Sequence, residues 1–173
     1  MKQLIETNNP EVSIRFASIE DIPVILSLIK GIAEYEKLSH EVIATEEILR
    51  NSLFGNRRVA EVLIADYRND AAGFALFFHN FSTFVGKAGI YLEDLFVKPE
   101  LRGKGIGKLL LTYLGKIALE RDCGRIEWSV LDWNEPAIKF YEKLGAVPMD
   151  GWTVFRVTEE KIPLLADQFD KKD

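Results

Sequence analysis

The chain reads as an α/β protein of mixed α+β type, with a central mixed, mostly antiparallel sheet and helices on both faces. Three observations predict it. Two β-rich runs, 59–67 and 73–81, flank the turn signal Arg68-Asn69-Asp70 and read as an antiparallel hairpin. A third apolar run, 89–97, stops at Lys98-Pro99 and leads through a basic glycine loop into the best amphipathic helix of the chain. Further strands and helices alternate before and after this centre, so helices must cover both faces of the sheet.

The elements follow in order. Ser13 to Phe16 reads as a short strand. Ser18 with Asp21 three residues later resembles a capping box, and Ile22, Ile25, Leu26, Ile29, Ile32 and Ala33 carry a helix to about Lys37. Thr45 caps a second helix with Ile48, Leu49 and Leu53, closed by Gly55. After the hairpin and the third strand, Ile106, Leu109, Leu110, Tyr113, Leu114 and Ile117 form one stripe on a helix over 105–121, ended by Gly124. Residues 125–131 read as a strand. Asn134 caps a short helix with Pro136 in its first turn, Gly145 after its end, and Ala137, Phe140, Tyr141 and Leu144 on its apolar side. Residues 152–157 read as a final strand. No linker, repeat or low-complexity segment interrupts the chain, so residues 1–173 are expected to form a single domain.

Composition bounds the function. The chain has 173 residues, 47% hydrophobic and 28% charged, the profile of an ordinary soluble domain. No apolar run reaches membrane-span length, and residues 1–9 lack the apolar core of a secretory leader, so no membrane partner is expected. The one cysteine, Cys123, has no internal partner for a disulfide, and two histidines far apart, His40 and His79, give no zinc spacing. A reducing, cytoplasmic setting and no metal are expected. The net charge of −5 disfavours nucleic acid and suits a cationic small molecule.

The segment from Glu93 to Leu111 carries the chemistry. A glycine loop at a helix N-terminus presents several backbone N–H groups to an anion such as a pyrophosphate. Two familiar phosphate motifs are excluded by spacing. A P-loop ending at Gly107-Lys108 needs glycine at 102 and Ser or Thr at 109, where Arg102 and Leu109 stand. A dinucleotide fingerprint needs G-x-G-x-x-G, whereas the glycines fall at 103, 105 and 107. The acidic pair Glu93-Asp94 lies just upstream, inside an apolar strand where carboxylates are uncommon. In a regular strand the two point to opposite faces. An anion cradle beside carboxylates predicts an enzyme that binds a phosphorylated cosubstrate and acts on a cation.

Arg102-x-x-Gly105-x-Gly107 resembles the acetyl-CoA-binding motif of the GNAT N-acetyltransferases. Nearly the whole chain shares the resemblance, which is closest to the spermidine/spermine and thialysine branch. Tyr91-Leu92-Glu93-Asp94, the loop from Arg102 to Gly107, Asp132-Trp133-Asn134-Glu135-Pro136, Phe140-Tyr141 and Gly151-Trp152 all look like that branch. The resemblance implies a GNAT fold with splayed strands, acetyl-CoA as cosubstrate and a homodimer. It implies that Arg102, Gly103, Lys104, Gly105, Ile106, Gly107 and Lys108 wrap the pyrophosphate. Leu95, Phe96 and Val97 would lie along the pantetheine, with Leu95 and Val97 pairing through their backbone. Asn134, Tyr141 and Lys143 complete the cofactor set, although Asn134 is also a plain helix cap.

The expected reaction is direct attack by a primary amine, which must first lose a proton. No cysteine, serine or histidine base is arranged for a covalent route. By resemblance, Tyr141 is the general acid for the departing thiolate; periodicity alone makes it a core tyrosine. Glu93 is expected to be the base, acting through water, with Asp94 holding the cationic substrate; structural pairing of these carboxylates with a lysine or arginine is the plainer account. Ser82 and Thr83 resemble the acceptor loop of the thialysine branch, where Phe84 stands in place of the tryptophan typical of spermidine enzymes. A polar hairpin loop is the plainer account of that pair. Glu36, with Glu34 and Tyr35, lines the acceptor entrance or forms a solvated helix end. Trp152 resembles a residue contributed across the dimer interface. The acceptor is thus a thialysine- or lysine-like compound, a diamine or a polyamine. A protein amine, or a sensor that binds acyl-CoA without catalysis, remain alternatives.

Overall fold

The structure, a computed structural model, describes residues 4–169. They fall into two compact units that divide between Ser129 and Val130.

The first unit is built on a six-stranded sheet in simple sequential order, β1 (Ile5–Glu6), β2 (Val12–Phe16), β3 (Glu61–Tyr67), β4 (Asp70–Ser82), β5 (Lys87–Val97) and β6 (Ile126–Trp128). Every pairing is antiparallel except β5 with β6. The β3–β4 hairpin forms at the expected turn. Arg68 and Asn69 both take left-handed φ, 52° and 74°, and Tyr67 pairs with Asp70. A two-residue turn of this hand matches the strand twist, so β4 begins at Asp70 rather than at residue 73. Sequential order leaves the helices α1 (Ile22–Tyr35) and α2 (Glu46–Phe54) on one face and α3 (Ile106–Glu120) on the other.

The two faces have separate cores. Ile22, Ile25 and Leu28 of α1 and Leu49 and Leu53 of α2 pack on Val62, Ile64, Phe74 and Phe96. On the other face Phe77, Ile90 and Leu92 are buried, as are Ile106, Leu110, Leu114 and Ile117 of α3. Each of these large side chains contributes about 1.5–3 kcal/mol by leaving water. Helix ends follow the sequence signals. Ser18 and Asp21 form the capping box, through a single 3₁₀ turn that precedes α1. The Thr45 side chain accepts from Ile48 N at 3.2 Å. Gly55 is required sterically, since a Cβ there would lie 2.3 Å from Asn51 O. Arg15 ties β2 to β3 and to the turn before α1, donating to Asp66 at 2.7 Å and to the capping Asp21 at 2.8 Å. α1 stops at Tyr35, two residues short of the expected Lys37, which takes a left-handed φ of 63°.

The second unit carries α4 (Glu135–Lys143) and α5 (Ile162–Ala166). Asn134 caps α4, its side chain accepting from Ala137 N at 3.4 Å. The expected strand over 152–157 is not formed. Trp152 N closes a turn onto Met149 O, and Trp152, Val154 and Phe155 are exposed. A β-rich composition fits a half-buried pleated surface but supplies no partner, and without a neighbouring ladder the segment stays irregular. The strand expected over 125–131 is likewise cut to Ile126–Trp128, the three residues that pair with β5.

Candidate active site

The glycine loop starts where β5 ends. Pro99–Leu101 make a single 3₁₀ turn, Gly103 and Gly105 take left-handed φ of 77° and 81°, and α3 begins at Ile106 with Gly105 as its cap. These two glycines are needed for conformation. Leu109 N closes onto Gly105 O at 3.0 Å, so the first-turn N–H groups of Ile106, Gly107 and Lys108 point out of the helix end without a carbonyl four residues back. Gly107 differs from the other two glycines. A Cβ there would meet only Val97 Cγ2, at 3.7 Å, an ordinary contact. The fold does not need glycine at 107, whereas a ligand lying against this turn would. The basic loop, its outward N–H groups and the space at Gly107 fit a pyrophosphate.

The loop's side chains are distributed differently from a simple basic cluster. Ile106 is buried and can offer only its backbone. Lys108 is exposed. Lys104 Nζ sits 5.2 Å from the centre of the Tyr67 ring. Arg102 Nε donates to Val97 O at 3.1 Å, and its guanidinium lies 4.2 Å from the Tyr35 ring and 5.7 Å from the Phe96 ring.

β5 is paired on its β6 side only at Ile90, Tyr91 and Leu92. Among the described residues of this unit, the backbone from Glu93 to Val97 has no strand neighbour on that edge, which is the open edge that an extended ligand could pair with. Leu95 and Val97 are half-buried along it, while Phe96 turns into the α1 core.

The acidic pair sits at an irregularity of the same strand. Leu76 of β4 pairs with Asp94 and Phe77 pairs with Leu92, so Glu93 is an extra residue with no partner. This β-bulge corrects the regular-strand expectation for the pair. Alternation is reset, and Leu92 and Asp94, two apart, face opposite sides: Leu92 with Phe77 toward α3, Asp94 with Leu76 toward α1. Glu93 is exposed. Asp94 is largely buried, and burial, reinforced by the charges of Glu93 and Glu36, pushes its carboxyl up to about 6. Glu36, the residue that follows α1, is itself pushed upward by burial. Asp94 thus lies within electrostatic reach of both Glu93 and Glu36, beside the open edge of β5.

Ser82 and Thr83 are not brought to it. β4 ends at Ser82, opposite Lys87, at the far tip of the β4–β5 hairpin. Ser82 lies six residue steps along the strand from Leu76, the partner of Asp94, and at roughly 3.3 Å per step that is about 20 Å. Ser82 is buried and its Oγ accepts from Val85 N at 3.4 Å, the geometry of a turn-forming serine. Thr83 and Phe84 are exposed.

In the second unit, Asn134, Ala137, Ile138 and Tyr141 lie at helical spacing on the more buried face of α4. The Tyr141 ring lies 5.3 Å from that of Phe140, tilted by 54°, and Lys143 is exposed at the helix end. Trp152 is exposed. Sequence reading missed the bulge and the engagement of Arg102 by Tyr35. A bulge leaves no local signal when its extra residue is a charged one rather than glycine.

An open-edged strand, a turn that fits an anion and clustered carboxylates lie together on one sheet, an arrangement suited to an acyltransferase. The comparisons agree. The model of the acetyltransferase (GNAT) family matches residues 26–146, and the chain belongs to that family. Thialysine N-epsilon-acetyltransferase of Bos taurus is 40% identical over 166 residues, covering 90% of this chain and 97% of that protein. L-ornithine N5-acetyltransferase of Arabidopsis thaliana is 34% identical, covering 88% of this chain and 86% of that protein. Among solved structures, an integron cassette protein from the mobile metagenome of V. cholerae superposes with a TM-score of 0.76 at 26% identity, covering 90% of this chain and 98% of that one. No helix among the described residues is long and apolar enough to cross a membrane.

Proposed function

We propose that this protein transfers an acetyl group from acetyl-CoA to a primary amine of a small cationic molecule, by direct attack of the amine. The observation that carries the reading is the carboxylate cluster Glu36–Glu93–Asp94 beside the open edge of β5, one strand-end away from the anion-binding loop. Acetyl-CoA supplies the activated acetyl group. Its pyrophosphate would be held by the N–H groups from Gly103 to Lys108, and its pantetheine would follow the backbone of Leu95 and Val97. Asn134 and Lys143 are assigned to the same cosubstrate by resemblance.

The amine arrives as an ammonium and is drawn to the cluster by charge. Asp94, faced by two other carboxylates, gains most from a cation beside it, and the pairing would pull its carboxyl back below about 6. Exposed Glu93 has contact with water and takes the proton, through a water molecule, so that the neutral amine can attack. Tyr141 donates a proton to the departing CoA sulfur. Acceptors with a second charged group, such as thialysine, lysine-like compounds, diamines or polyamines, fit three clustered carboxylates. The relatives named for thialysine and L-ornithine support the diamino-acid members of that set. Trp152 is assigned by resemblance to substrate recognition across a homodimer, the Ser82-Thr83 tip keeps the role of a polar hairpin loop that its distance from Asp94 leaves it, and the cytoplasm is the proposed compartment.

The test is CoA-thiol release from acetyl-CoA against thialysine, lysine, ornithine, putrescine, spermidine, spermine and a lysine-containing peptide. Turnover with a free diamino acid or diamine is the expected result. Turnover with the peptide alone would assign the chain to protein amines, and silence across the panel with acetyl-CoA still bound would leave a sensor.

A further inference from the structure

Arg102 belongs to the loop assigned to the pyrophosphate, yet its side chain reaches the other half of the site. The guanidinium stands 4.2 Å from the ring of Tyr35, the last residue of α1, while Nε holds Val97 O at the end of β5. Tyr35 immediately precedes Glu36, the carboxylate that acts on Asp94. A guanidinium stacks through its face and hydrogen-bonds through its edge, so a phosphate on its edge leaves the stack intact. A lysine at 102 would keep the charge and lose the plane.

We infer that Arg102 and Tyr35 form a mechanical link by which filling the pyrophosphate loop fixes the end of α1, and with it Glu36, in position for the amine. This rests on the proposed use of a CoA ligand and adds a coupling between its two halves. Tyr35 is a positioning residue in this account. The amides that report on it are already defined: Glu36 N, Lys37 N and Leu38 N bond to Ile32 O, Glu34 O and Ala33 O at 2.9, 3.1 and 2.8 Å. A helix end of this kind opens locally and exchanges its amide protons readily unless something holds it.

The experiment is hydrogen–deuterium exchange of the full chain with and without CoA, followed at residues 33–38. Saturating CoA should slow exchange there by at least about fivefold, the low end of ordinary coupling. Tyr35→Phe keeps the ring and should keep the effect. Tyr35→Leu should abolish it while CoA still binds, because Tyr35 does not belong to the loop. Arg102→Lys should weaken CoA binding and also abolish the slowing at saturation. Unchanged exchange at 33–38 in the wild type with CoA bound, or slowing that survives in Tyr35→Leu, overturns the link and leaves the acetyltransferase reading standing. Failure of CoA to bind at all, by calorimetry on the same sample, overturns both.

Discussion

Asp94 and Glu93 are neighbours in sequence but occupy different surroundings, because the bulge in β5 leaves Glu93 unpaired and exposed while Asp94 pairs with Leu76 and faces α1. One strand irregularity therefore gives two carboxylates different exposure, and each carries a separate prediction.

Asp94 sets a pH dependence of stability. Its carboxyl lies near 6 in the folded chain against an ordinary value of 3.8. A raised acid holds its proton longer when folded, so between those values the native state binds more protons than the unfolded one. Stability from this group therefore falls as pH rises from about 4 to about 6 and stays lost above it. Asp94→Asn should raise stability at pH 7.5 by up to about 3 kcal/mol, the equivalent of such a shift, and the gain should vanish below pH 4. Urea denaturation at the two pH values reads this directly. The same variant should lose affinity for the amine, a gain in stability at the expense of function.

Glu93, the proposed base, should govern the pH dependence of the rate. Glu93→Gln should flatten the rise of kcat/KM with pH while acetyl-CoA binding is kept. An unaltered profile would remove Glu93 from the proton path and shift the role to Asp94.

Tyr141 should act late. Tyr141→Phe is expected to lower kcat by roughly 10²-fold or more, the usual weight of an acid–base group, with the KM for acetyl-CoA little changed. Full turnover in that variant would return Tyr141 to the plain packing role its place beside Ala137 and Ile138 on α4 allows.

Gly107 separates ligand from fold. Gly107→Ala meets only Val97 Cγ2 at an ordinary 3.7 Å, and alanine in a helix is better than glycine by up to about 1 kcal/mol. The variant should melt no lower than the wild type yet bind CoA at least about tenfold more weakly, a loss near 1.4 kcal/mol. Gly105→Ala should instead lose both, since its φ of 81° is strained for any side chain.

What was legible in the sequence was what local chemistry dictates. The Thr45 cap, the Ser18–Asp21 box, the Arg68-Asn69 turn and the glycine loop are written in adjacent residues, and each forms as read. What depends on distant partners was not legible. The segment 152–157 has the residues of a strand but no ladder, β6 is only as long as its pairing with β5, and the bulge at Glu93 arises from register against β4. The same holds at the site. Glu93 and Asp94 stand out as carboxylates in an apolar strand, and Glu36 is legible only as one of two readings of a helix end, whereas the approach of Arg102 to Tyr35 and the distance of Ser82 from Asp94 follow from how strands and helices pack.

Direct transfer is the central claim, and a rapid-quench experiment with acetyl-CoA labelled in its acetyl group tests it most directly. Enzyme in excess is mixed with labelled acetyl-CoA, with or without thialysine, and label is followed in protein, thiol product and amine. With direct transfer, label passes to the amine nitrogen in a single phase, with none on the protein and no thiol release when the amine is withheld. Label held on the protein before it reaches the amine, or thiol release that does not depend on the amine, would contradict it.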